Sequence, residues 1–551
     1  MQARSTLLVL LSVCVVGAAP MAGPPGTAKF HADDPLAREP DSQDASGVRE
    51  WTIDLFVDLT LNLFGEPGDS QIGSRAANVN TIDEVPDSSW FTNRILASPL
   101  SIDDVLKGPA QGAPPSNGFW TIVAAKEVGA APGFTVEDEA RETWFISFDA
   151  RNYPEAATGA ILVANRIFWA LGYWQADNVL VRVRPEQVLI GDTAQIRVMS
   201  GEVRPMRRSD LEEIWERAHA SADGSYRAVA SRRIAGRALG GFRYHGTRPD
   251  DPNDVVPHEH RRELRALRVF GAWTNLVDMK AGNTLDVLVT ENGRGVVRHY
   301  LQDVGSTFGT GANAPREFDE GWEHLYQGNL VWKRLLSLGF VIQPWQTVRY
   351  EDSAPIGRFE GVEFDPPTWK PRVPTAAFRH AQPDDLFWAA RRVTAFSDDM
   401  IRAIARTGSY TDAEAPDVLA DVLIQRRDKI AASYLVGVNP LVDFRLDESR
   451  RLSFVNAAVA AGVAAEPGNG YRLHWSRFDN NTGALTPIGD THIASAGQAA
   501  PPASWPDAAG AFVSILISAV DPPYPGWTPV RIYFRRAARG WELVGVERRT
   551  A

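Results

Sequence analysis

A chain of 551 residues with 44% hydrophobic content holds more apolar material than one core normally organises, which excludes a disordered chain and implies two to four domains. The formal net charge of −11 gives no electrostatic basis for nucleic-acid binding.

At the N-terminus Arg4 precedes an apolar run from Leu7 to Val16, and Gly17, Ala18 and Ala19 follow. That layout predicts a signal peptide over 1–22 and export to the periplasm or the extracellular space. Cys14 lies in this run behind Val13, where lipidation would want a small residue, so a lipoprotein is disfavoured. Removing the signal removes the only cysteine, and with it disulfides, thiolate metal sites and a cysteine nucleophile. The run is too short to span a bilayer, and no later segment approaches about 18 apolar residues, so no integral membrane segment is expected after cleavage.

Residues 23–50 are rich in Pro, Gly, Ala and Asp without an apolar period and read as a flexible linker. From 51 to 115, WTIDLFVDLTLNLF and DEVPDSSWFTNRI suggest a docking segment that packs Trp90 and Phe91 on the next domain. Between 116 and 194, FWTIVAAKEV, PGFTVED and TWFISFD alternate as strands, with Gly129 and Gly133 marking the first turn. A helix is predicted from Pro154 to Tyr173 and a further strand at VLVRV. The stretch 195–256, with Arg232, Arg233 and Arg237, has no clear period and reads as an Arg-rich insertion.

From Pro257 the period becomes helical, with Leu264, Leu267, Phe270, Trp273 and Val277 on one stripe. The segment HEHRRELR does not match a zinc-peptidase helix, because Arg262 stands where the second histidine would be required. The stripe delivers the chain to VDMKAGN at 277–283. TLDVLVT and GVVRHYLQ then flank Asn292-Gly293, a hairpin signal, and QDVG follows at 302–305. Amphipathic helices continue to about 440, and after VNPLVDF short alternating runs predict a β-rich domain over 441–551. Trp475, Trp505, Trp527 and Trp541 are read as its core.

VDMKAGN and QDVGSTFG resemble the catalytic and metal-binding loops of atypical kinases, including HipA-type, phosphoinositide and spore-coat or secretory-pathway kinases. DSSWFTNR and HEHRRELR also resemble segments of an uncharacterised family of exported bacterial proteins. The kinase resemblance covers roughly residues 119–440. It implies an α+β fold: a bilobal protein-kinase-like core with a small lobe at 116–194, a helical large lobe at 257–440 and an appended β-rich C-terminal domain. It further implies Asp278 as base, Lys280 reaching the transferring phosphoryl group, Asn283 and Asp303 as Mg²⁺ ligands, and ATP or another nucleotide as cofactor. The acceptor would be a hydroxyl on a protein, lipid or glycan.

The chain departs from that pattern at Ser147, where the third strand should carry a lysine. Lys126, one of only seven lysines, is the substitute cation, and Glu155 its expected partner. With Gly129 and Gly133 these complete the expected nucleotide-binding set. An active phosphotransferase and a non-catalytic pseudokinase or envelope interaction module both remain open at this level.

Overall fold

Period-two alternation between residues 119 and 149 builds the first sheet. The computed structural model describes residues 28–39, 43–97, 100–126, 131–198, 201–337, 340–351 and 353–548. The signal-peptide expectation over 1–22, Cys14 and Gly129 lie outside these residues. Two short helices, α1 (Leu55–Thr60) and α2 (Ile102–Lys107), precede the sheet. Strands β1 (Trp120–Ala125), β2 (Gly133–Glu137) and β3 (Thr143–Phe148) then pair antiparallel in chain order and bury Ile122, Phe134, Val136, Ile146 and Phe148.

Helix α3 (Ala156–Leu171) follows β3 directly. Asp149 caps it, its carboxylate accepting from the Thr158 N–H at 2.9 Å and the Thr158 hydroxyl at 2.7 Å. Gly172, at φ +125°, ends it where a side chain would collide with Phe91.

The chain continues through β4 (Asn178–Val183), β5 (Val188–Arg197), β6 (Val203–Pro205), helix α4 (Arg208–Arg217) and β7 (Tyr226–Arg232). The sheet order is β4-β7-β3-β2-β1-β5-β6, mixed because β1 and β5 run parallel. This corrects the reading of 195–256 as an insertion, since β7 lies between β3 and β4 inside the sheet. Ala228, Val229 and Ala230 are buried in succession. A strand covered on both faces shows no alternation, and for that reason it carried no visible period. Trp215 on α4 packs on Phe134, Phe148 and Tyr226 with ring centroids 5.6, 5.1 and 4.5 Å away.

Pro257 and a 3-10 turn at His258–His260 open the helical body, so the expected single helix is divided into α5 (Arg262–Arg265) and α6 (Leu267–Thr274). All five stripe residues are nevertheless buried. A two-residue strand, β8 (Arg237–Ala238), pairs with the hairpin of β9 (Leu285–Glu291) and β10 (Arg294–Tyr300). Asn292 and Gly293, at φ +50° and +78°, make its turn as expected. Helices α7 (Gly328–Leu336), α8 (Ala376–His380), α9 (Pro383–Thr394), α10 (Asp398–Arg406) and α11 (Ala415–Tyr434) follow. No helix among the described residues is long and apolar enough to cross a membrane.

Trp90 stacks on His299 at 3.5 Å between ring centroids, and Phe91 packs on Trp388, both partners lying beyond residue 257. The HEHRRELR arginines bind carboxylates. Arg262 is fully buried and reaches Asp83 (3.0 Å), Asp384 (2.6 Å) and Asp385 (3.0 Å), while Arg265 takes the other oxygen of Asp385 at 3.1 Å. Asp83 is shared with Arg75 and with Arg548 near the C-terminus. Burial alone would raise its pKa, but the three guanidinium groups hold it well below the usual carboxylate range.

Eight further strands, β11 (Leu441–Leu446), β12 (Leu452–Asn456), β13 (Tyr471–Phe478), β14 (Leu485–Ile493), β15 (Gln498–Ala499), β16 (Phe512–Ala519), β17 (Val530–Ala537) and β18 (Gly540–Arg548), form a three-stranded and a five-stranded sheet. Trp475, Trp505 and Trp541 join their core, whereas Trp527 packs into the helical body. The linker expectation needs correction here. Phe30 is buried among Phe478, Tyr533 and Val544, and Ala45 and Val48 pack on Leu239 and Val297. Isolated anchors of this kind leave no periodic signal.

Arg262→Ala leaves three carboxylates without their shared cation and is expected to destabilise the protein by about 3–5 kcal/mol in urea unfolding. A loss below about 1 kcal/mol would refute the central role given to this residue. A second expectation concerns His324, whose ring N–H donates to the Pro371 carbonyl at 2.7 Å. Burial lowers its pKa from 6.5 to about 4, so the folded state binds fewer protons than the unfolded state between those values. Stability therefore falls as pH drops through that window, and in His324→Gln the melting temperature should depend less on pH there.

Candidate functional site

Helix α6 ends at Asn275 in a left-handed conformation, φ +56°, and its side chain accepts a hydrogen bond from the Trp369 indole at 2.8 Å. The next residues leave the helix with Val277 buried, and its carbonyl accepts from the Arg372 N–H at 2.9 Å. This clamp holds the start of the loop. Asp278 follows, partly exposed.

The loop from Asp278 to Asn283 closes on itself. The Asn283 amide donates to the Asp278 carbonyl at 2.7 Å, and the Asn283 N–H reaches the Lys280 carbonyl at 3.0 Å. The Asp303 N–H donates to the Asn283 carbonyl at 3.1 Å, so the hairpin returns the QDVG segment to the loop it left. Asp278, Asn283 and Asp303 are thereby brought together, although 25 positions separate the first from the last. Asp303 then accepts the Gly305 N–H at 3.0 Å, and a side chain at Gly305 would strike Ile161 of α3.

Lys126 comes from the sheet side. It follows β1, and its Nζ donates to the Ser147 hydroxyl at 3.0 Å. Gly133 lies between them in the ladder: the Lys126 N–H reaches the Gly133 carbonyl at 3.3 Å, and Gly133 pairs with Ser147. A Cβ on Gly133 would lie 3.3 Å from the Lys126 stem and 2.1 Å from the Ile146 carbonyl oxygen. Gly133 is therefore a strand residue whose missing side chain spares the Ile146 carbonyl of β3, which corrects its assignment to the turn. Lys126 is exposed as a residue, but desolvation lowers its pKa, the negative charge of Asp303 acts in the opposite sense, and Arg217 reinforces the lowering.

Glu155 is not the partner of Lys126. It accepts from the Thr411 N–H at 2.7 Å and the Thr411 hydroxyl at 2.5 Å, with Arg227 at 3.8 Å. Its left-handed backbone, φ +67°, places it just before α3, facing the loop after α10. Sequence proximity to the helix suggested the pairing; a residue some 250 positions away decided against it.

Lys280 forms an ion pair with Asp278 at 2.9 Å. Arg316 was not singled out in the sequence, yet its guanidinium lies 4.0 Å from the same carboxylate and also bonds Ser306. Tyr244 is a second unforeseen neighbour. It is buried beside the loop, and burial together with the charges of Asp278 and Asp58 pushes its pKa up. No local motif marks either residue. Among the described residues no group of three His, Cys, Asp or Glu side chains could hold a metal ion unaided.

No family model matches this sequence, and no curated protein matches it. Solved structures that align with the chain include two crystal structures of the Golgi casein kinase. The one with Mn/ADP bound aligns at 8% identity over 74% of this chain and 96% of that chain, with a TM-score of 0.28. The other aligns at 8% identity over 75% and 97%, with a TM-score of 0.29. Alignments at this level assign no residue, and the chemistry of the site rests on its own geometry.

Proposed function

We propose that this chain is an exported kinase-like protein that binds a metal-nucleotide and transfers a phosphoryl group to a hydroxyl acceptor. The observation that carries this reading is the hydrogen-bonded junction that joins Asp278, Asn283 and Asp303.

The donor set fits the cofactor. Asn283 and Asp303 offer oxygen ligands suited to a hard divalent cation such as Mg²⁺. The Asn283 nitrogen is committed to the Asp278 carbonyl, which leaves its oxygen for a ligand, and Gly305 occupies only one carboxylate oxygen of Asp303. Two protein donors suffice only if phosphate oxygens complete the shell, as in phosphoryl transfer. Bound there, the metal would neutralise charge on those oxygens.

The residues divide the remaining work. Lys126, braced by Ser147, would hold the phosphates from the sheet side. Asp278 would orient the acceptor hydroxyl and receive its proton as the acceptor oxygen bonds to the terminal phosphorus and the bond to the bridging oxygen breaks, releasing nucleoside diphosphate. Lys280, paired with Asp278 at 2.9 Å, would follow the transferred group.

A non-catalytic nucleotide-binding module is the second reading. Ser147 and the engagement of Glu155 by Thr411 favour it, because Lys126 lacks the carboxylate brace expected for it.

Mg·ATP at 100 times its dissociation constant is expected to stabilise the protein by about 2.7 kcal/mol in thermal unfolding, and Asp303→Ala and Lys126→Ala should each remove most of that gain. Absence of stabilisation in the unmutated protein would sink nucleotide binding. Asp278→Asn separates the two readings: nucleotide stabilisation should persist while phosphoryl transfer or ATP hydrolysis falls at least about 100-fold. A protein that binds Mg·ATP but shows no turnover before or after this substitution is the binding module.

A further inference from the structure

A recess in the helical body is not used by the phosphotransfer chemistry. Asn275, Glu320, Trp322, Tyr350, Glu360 and Trp369 are among its lining residues, and it encloses about 320 Å³ counting its open mouth. The Glu320 and Glu360 side chains are more than nine-tenths buried. Each keeps one carboxylate oxygen, Glu320 Oε2 and Glu360 Oε1, without a hydrogen-bond donor.

The nearby arginines lie at ion-pair distance from these oxygens without hydrogen-bonding them. Arg426 lies 3.9 Å from Glu360 Oε1 but donates to the carbonyls of Glu360 and Ala272, each at 2.7 Å. The Glu363 N–H takes only the other oxygen of Glu360. Arg316 and Arg372 approach Glu320 at 3.5 and 3.7 Å without hydrogen-bonding it. A buried acceptor oxygen without a donor is destabilising, so a recess with two of them is matched to a ligand that brings N–H groups.

Three features narrow that ligand. Among the described residues no cluster qualifies as a metal site, and Trp322, Tyr350 and Trp369 provide aromatic faces suited to an organic cation. The enclosed part admits only a water-sized group, which fits a primary ammonium and excludes a trimethylated one. Burial also raises the pKa of Glu320, with Arg316 and Arg372 acting against it.

Its position ties it to the reaction. Asn275 stands three residues before Asp278, and Arg316 bridges the two sites, 3.5 Å from Glu320 and 4.0 Å from Asp278. We propose that the recess is a primary-ammonium subsite that seats an amine-bearing hydroxyl acceptor beside Asp278. The ammonium site stands on its own geometry; its use for an acceptor rests on the phosphotransfer reading.

Isothermal titration of the nucleotide-free protein tests it with ethanolamine and with a capped lysine amide, using choline and ethylene glycol as oversized and neutral controls. Saturable binding of either amine is expected, at least about tenfold tighter than both controls, and preference between the two distinguishes a small amino alcohol from a lysine side chain. Glu360→Gln and, independently, Glu320→Gln should each weaken it about tenfold. Asp303→Ala should leave it unchanged. Melting of each variant without ligand reports whether it folds, and two separate glutamine variants keep the result readable if one does not. No saturable binding of either amine, meaning a bound water only, or binding indifferent to both glutamine variants, overturns the subsite. Mg·ATP stabilisation without amine binding removes the subsite and leaves phosphotransfer; amine binding without Mg·ATP stabilisation does the reverse.

Discussion

The buried guanidinium of Arg262 is the constraint on which the arrangement of this molecule depends. It joins Asp83 of the N-terminal docking segment to Asp384 and Asp385 at the start of α9, and through Asp83 it is linked to Arg548 on the last strand. Ion pairs removed from water bring little net stability, but they tolerate few alternative geometries. Because Arg262 begins the short α5 that leads into α6, the same contacts fix where α6 ends. The loop bearing Asp278 inherits that placement. A second anchor lies next in sequence: Glu84 accepts from Trp388, Arg391 and Arg392, and the two arginines hold its pKa down to about 2 although burial opposes them.

What could be read from the sequence follows from how local each feature is. The Asn292-Gly293 hairpin, the buried stripe from Leu264 to Val277 and the strands around 119–149 are encoded by spacing within a few residues, and they form. Features encoded by distant partners were misread or missed. The strand β7 has no alternation because it is covered on both faces. Glu155 is claimed by Thr411, and Arg316 reaches Asp278 from a loop without a motif. HEHRRELR fails the zinc-peptidase spacing, but the buried carboxylates that its arginines bind lie over 100 positions away and leave no mark on the segment itself. The site itself was partly legible, since the order of Asp278, Asn283 and Asp303 is local and the hairpin between them needs no distant information.

The row formed by Lys126, Gly133 and Ser147 gives a physical sense to the missing strand lysine. A lysine at 147 would compete for the space that the Lys126 ammonium now occupies, and a side chain at 133 would strike the Ile146 carbonyl and crowd the Lys126 stem. The three residues are therefore interdependent: a small residue in each of two neighbouring strands makes room for a long one in the third. Changing one alone disturbs the others, and their effects on stability should not add.

The tie between Asp83 and Arg548 spans 465 positions, and Phe30 is inserted among strands that begin after residue 470. During synthesis the N-terminal docking segment thus emerges long before the strands that cover Phe30 or the arginine that completes Asp83. Until the final strand is released, Asp83 is a carboxylate short of one cation and the aromatic ring has no sheet to enter. Closure of these contacts consequently waits for β18, which ties Asp83 to a strand made 465 positions later.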